Sequence, residues 1–106
     1  MERIEKLLSF LTESPKDDFL RHALALEYIK AGQPLKAEEL FKAILSENPG
    51  YTGSYYHLAK LLESMDKNNE AAEWYRKGME AALKLNDRHS YNELRSAYDE
   101  MSVGDL

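Results

Sequence analysis

The chain has 106 residues, enough for one compact domain and too few for two. Hydrophobic residues make up 43% and charged residues 31%, with only 5 Gly and 3 Pro, so an all-α protein is favoured over a turn-rich β one. The net charge of −5, with no run of Lys or Arg, argues against a nucleic-acid partner; the lack of Cys removes disulfides, thiolate nucleophiles and thiolate zinc sites, and fits a cytoplasmic protein.

The N-terminal segment places Ile4, Leu7, Leu8 and Leu11 at helical spacing. Its start is charged, and no long apolar run follows, so neither a secretory signal nor a membrane span is expected. Asp17 and Asp18 then supply N-terminal charge, and one or the other an N-cap, for a second helix with Leu20, Leu24, Ala25 and Tyr28 on one stripe. Gly32 suits the end of that helix, and Pro34 suits the first turn of a third carrying Leu40, Phe41, Ile44 and Leu45. Asn48, Pro49 and Gly50 stop it. A fourth helix follows with Tyr55, Leu58, Ala59 and Leu62, and after a break at residues 66–69 a fifth with Ala71, Trp74, Tyr75 and Met79. Tyr91, Leu94 and Tyr98 mark a sixth.

Shifting the sequence by 34 residues superposes Leu24 on Leu58, Ala25 on Ala59, Ala37 on Ala71, Phe41 on Tyr75 and Leu45 on Met79. The matching positions are apolar or small, and the charged ones between them vary. Ala25 with Ala37, and Ala59 with Ala71, stand where paired helices cross most closely, and a larger side chain would push the axes apart.

The pattern Leu24-Ala25-x-x-Tyr28, Gly32, Ala37, Phe41 and Pro49 resembles the tetratricopeptide repeat of small bacterial-type repeat proteins, and Tyr55-x-x-Leu58-Ala59-x-x-Leu62, Ala71 and Tyr75 forms a second copy. The copies depart from the family at Arg21, in the first aromatic slot, at Ile44 and Gly78, in the late alanine slot, and at Leu83, in the proline slot. The resemblance implies an all-α, right-handed α-α superhelix of about six antiparallel helices.

Residues 1–106 are read as one domain: a half-repeat helix at 1–15, repeats at 18–51 and 52–85, and a capping helix at 88–102. The N-terminal assignment follows from Leu11 to Pro15 aligning with Leu45 to Pro49. The C-terminal one follows from Tyr91, Leu94 and Tyr98 repeating the spacing of Tyr55, Leu58 and Leu62 at an offset of 36, two residues having been inserted before them. Arg95, where the full copies have alanine, fits a helix with no partner behind it.

Nothing points to catalysis or a cofactor. No nucleophile elbow or phosphate-cradling glycine loop is present, and His22 and His57 lack the further ligands of a zinc site. The resemblance implies instead a non-catalytic scaffold that holds a peptide or helix of a partner protein in a concave groove lined by the first helix of each pair. That geometry nominates Phe19, His22, Leu26, Ile29 and Lys30 in the first copy, Tyr56, His57, Lys60 and Glu63 in the second, and Asn92, Glu93 and Ser96 on the last helix. His22, Leu26 and His57 fill the slots in which one family subtype carries the lysine and asparagines that clamp a peptide carboxylate, so that mode is not expected. The alternative is a structural module, a homodimer for example, that self-associates through its terminal helices, with Phe10 beside the first helix's leucines.

Overall fold

In a computed structural model that describes residues 2–104, the chain forms six helices: α1 (Glu2–Glu13), α2 (Asp18–Lys30), α3 (Pro34–Glu47), α4 (Thr52–Ser64), α5 (Asn68–Lys84) and α6 (Arg88–Gly104). No strand occurs among the described residues, so the all-α expectation holds. The chain divides after Asn48 into two compact units, one holding α1 to α3 and the other α4 to α6.

In the first unit, Ile4 and Leu7 of α1 close on Leu24 of α2, with Leu11, Leu20, Ala23, Tyr28 and Leu40 packed around them. Ala25 and Ala37 are completely buried, as the close α2–α3 crossing requires, beside the equally buried Phe41 and Ile44. Burying a side chain of that size is worth roughly 2–3 kcal/mol. At the rim, Arg3 of α1 reaches Glu27 of α2 at 3.2 Å.

The second unit repeats the scheme with Ala59 against Ala71 and with Leu58, Leu62 and Tyr75 fully buried. Leu94, Ala97 and Met101 give α6 its buried stripe. Arg95 lies on the exposed side of α6 and pairs with Asp99 at 3.2 Å.

The same turn closes three helices. After α2, Gln33 N–H donates to Tyr28 C=O and Gly32 N–H to Ile29 C=O, with Gly32 at φ 73°. After α4 the left-handed residue is Asp66 (φ 59°), and after α5 it is Asn86 (φ 56°), each with the same pair of bonds. Asp and Asn are the non-glycine residues that tolerate this conformation best, so the turn survives without its glycine. Asp17 caps α2 by accepting from Leu20 N–H at 2.9 Å. Asp87 caps α6 through Ser90 N–H and Oγ, at 3.1 and 2.7 Å, and receives the Thr52 hydroxyl of α4. These bonds hold the Asp87 carboxyl below its usual range.

Candidate functional site

On α4 the buried Ser54, Tyr55, Leu58 and Ala59 form the core-facing stripe, which leaves Tyr56 and His57 half-buried at its side. Their rings meet edge to face at 5.5 Å, and Lys60, one turn on, stands 5.9 Å over the Tyr56 ring. Lys60 is also 3.9 Å from Glu63, whose carboxylate accepts the buried Tyr75 hydroxyl. Tyr56, His57, Lys60 and Glu63 therefore form one connected, half-buried set on α4. Burial lowers the His57 pKa by disfavouring the charged ring, and Glu93 of α6 partly opposes this. The Tyr75 phenol is driven far above its ordinary value, first by burial and then by its bond to Glu63.

The α2 candidates form a looser group. Phe19 is 70% exposed, and Ile29 lies at the exposed end of the helix. Lys30 pairs with Glu27 at 3.4 Å, and Leu26 is half-buried. His22 lies edge-on to Phe41 at 5.4 Å, so its ring is part of the packing of α3 on α2. On α6, Asn92 lines a hollow with Leu83, Asn86, Arg88 and Tyr91, grouping it with the α5–α6 turn rather than with Tyr56 and Lys60. Among the described residues, no three His, Asp or Glu side chains gather as a metal site would need.

Two features, a polar cluster and a hollow, escaped the sequence reading. Arg21 is 7% exposed and donates to Glu47 at 2.7 Å, to Asp18 at 2.9 Å and to the Lys16 carbonyl at 3.2 Å. Desolvation pulls its pKa down, but the bonds to Glu47 and Asp18 outweigh it and hold the guanidinium charged. Glu47 is lowered in turn, by Arg21 first and then by Lys16, which lies 3.2 Å from it. The equivalent residue of the second unit, Tyr55, sends its hydroxyl to the Pro49 carbonyl at 2.7 Å. The signal in the sequence was Arg21 itself, which stands in the slot that holds Tyr55 one period later.

The second unrecognised feature lies on α5. Tyr55, Ala81 and Leu85 line an open hollow of about 320 Å³ with Pro49 and Gly50, and Lys77, Glu80 and Lys84 stand around it.

Paired helices with small residues at the crossing, a shared turn and a recurring apolar set define a helical-repeat protein. The tetratricopeptide-repeat model matches residues 28–97. A tetratricopeptide-repeat domain protein from Salinibacter ruber is similar in its crystal structure (35% identity, TM-score 0.76, 81% of this chain and 96% of that one) and in its solution structure (36%, 0.79, 82% and 88%). A Bordetella parapertussis protein shares the fold at 24% identity and a TM-score of 0.83, over 96% of this chain and 89% of its own. No curated protein matches the sequence. The chain belongs to the tetratricopeptide-repeat family. Such repeats are in general protein–protein interaction modules, and no described helix here is long and apolar enough to cross a membrane.

Proposed function

We propose that this chain is a non-catalytic scaffold, cytoplasmic, which binds a peptide or helix of a partner protein through the face of α4. The connected set Tyr56, His57, Lys60 and Glu63 carries this reading. Tyrosine supplies large contact area at small entropic cost, and a lysine over its ring adds a charged anchor. Lys60 and Glu63 together suit a ligand with both apolar and charged groups rather than a phosphate chain. Within the first unit, taken by itself, Phe19 and Ile29 of α2 are exposed apolar residues. In this reading the repeats run over 18–51 and 52–85, with half-repeats at 1–15 and 88–102.

Replacing Tyr56 and Lys60 together by alanine is expected to abolish capture of the partner in a pull-down read by mass spectrometry. The circular dichroism spectrum and melting temperature should stay unchanged. Capture that survives the double substitution means that this face is not the site.

Self-association is the second reading, favoured by Phe10 (57% exposed) and Leu8 (44% exposed) on α1. Light scattering at two concentrations decides it, since a strict monomer at both excludes it.

A further inference from the structure

The hollow on α5 lies outside the α4 face just described, and its origin is visible in the repeat. In the first unit the corresponding place is filled: Glu47 and Lys16 pair there with the buried Arg21. One period later those positions hold Ala81, Gly50 and Tyr55. Two charged side chains are thus replaced by a methyl group and a hydrogen, and the guanidinium by a ring whose hydroxyl is already tied to Pro49. The second helix is also longer here, 17 residues in α5 against 14 in α3, so Lys84 and the 57%-exposed Leu85 extend past the opening as a wall. The result is an apolar recess large enough for one bulky side chain.

Charge selects the kind of partner. Lys77 stands 4.5 Å over the ring of Trp74, and no carboxylate among the described residues lies within ion-pair distance of it. Lys84 meets Glu80 at 3.7 Å, but both are more than 70% exposed, so that pair is weak and readily exchanged. A chain of net charge −5 thus places two exchangeable cations, seven residues apart on one helix, beside its apolar recess.

We propose that this recess is a second docking surface, which takes a large apolar side chain of an acidic peptide segment, with flanking carboxylates on Lys77 and Lys84. The apolar side chain seats against Ala81 and Leu85, and Tyr55 forms the floor. In the first unit the chain's own Glu47 occupies the equivalent place, so only the second repeat is open to an external segment.

Trp74 is the only tryptophan and lies beside Tyr55 at 6.1 Å, so its fluorescence reports on the recess. The probes are synthetic peptides with a central Leu or Phe flanked by Asp and Glu, matched against peptides with the same centre flanked by Lys and Arg. Acidic peptides are expected to shift Trp74 emission and the amide resonances of Lys77, Ala81 and Leu85, with affinity falling as salt rises. Ala81→Glu, which restores the first unit's side chain, should weaken binding more than tenfold. Lys77→Gln with Lys84→Gln should weaken it roughly three- to tenfold and flatten the salt dependence, with unchanged circular dichroism. Any of four outcomes overturns the proposal: no response to acidic peptides at millimolar concentration, equal binding of the basic set, shifts confined to Tyr56 and Lys60, or a concentration-dependent mass that Ala81→Glu abolishes. The last would make the occupant a second copy. Because none of these substitutions touches Tyr56 or Lys60, failure here is separable from failure of the α4 face.

Discussion

Arg21 and Tyr55 are equivalent in the 34-residue period, and so are Ile44 and Gly78. The glycine goes with the close approach of α5 to Tyr55: a Cβ on Gly78 would sit 2.7 Å from the Tyr55 Cβ, 2.9 Å from its Cγ and 3.0 Å from Leu94 Cδ1. Where the slot holds a slender arginine that runs out to Glu47, the late position is a fully buried isoleucine. A second exchange follows the same logic. Tyr75 donates to Glu63, whereas the corresponding pair in the first unit is Phe41 and Ile29, neither of which needs a polar partner. The two repeats keep the same helix geometry by compensated pairs of residues rather than by identical ones. A position read alone, such as Arg21 against the family pattern, therefore looks like a defect, while the pair does not.

Making the pairs inconsistent should break each unit in proportion to what is buried. Ile44→Gly removes a fully buried side chain and weakens α3, and about 4 kcal/mol of stability should be lost, measured by urea unfolding. Tyr75→Phe leaves the ring in place but deprives Glu63 of its buried donor. A loss of about 2 kcal/mol is expected, and a double-mutant cycle with Glu63→Gln should show most of it to be coupling. Gly78→Ala gains helix propensity but forces the Tyr55 ring or α6 aside, for a net loss of about 1 kcal/mol. If Tyr55→Gly, which removes the Cβ together with the ring, abolishes that penalty, the close approach to Tyr55 is its cause; if it does not, Gly78 is there for another reason.

Acid should act on both units with a smaller effect, because the carboxylates involved are exposed. Glu47 and Asp87 lie below their ordinary values of 4.5 and 3.8 in the folded chain, so the unfolded chain binds more protons in acid. Their contribution is fully present above about pH 4.5 and is lost as the pH falls through the folded values. His57, lowered by burial, has the same sign nearer neutrality: stability declines as the pH drops from 6.5 towards its folded value. Glu47→Gln should flatten the acid slope of the urea midpoint, and His57→Gln the slope nearer neutrality. The smallest change is at the shared turn. Asp66→Gly relieves a left-handed residue and should add about 0.5 kcal/mol, while Gly32→Ala at the equivalent place should destabilise by a similar or larger amount.

Most of the fold was legible because it rests on local signals. The spacing of Ile4, Leu7 and Leu24, the small residues Ala25, Ala37, Ala59 and Ala71, and the breaks at Gly32, Pro34 and Pro49 act within a turn or two of helix and repeat with one period. A cap at Asp17 or Asp18 was legible for the same reason, and Asp17 is the one that caps α2. The candidate site was legible in part. Tyr56, His57, Lys60 and Glu63 share one helix, so their periodicity brings them together, and Asn92 was placed by analogy of register alone and lies with Asn86 and Tyr91.

The sequence by itself determined the helices, their turns and the family, since helical periodicity and capping are properties of neighbouring residues. Tertiary structure decided the pairings made across helices. Arg21 reaches Glu47 only because α3 returns along α2, Tyr75 finds Glu63 only because α5 returns along α4, and the recess at Tyr55 exists because Gly50 and Ala81 come together without charged side chains. Each joins residues from different elements, and the free energy of such a contact depends on a separation that no single segment specifies.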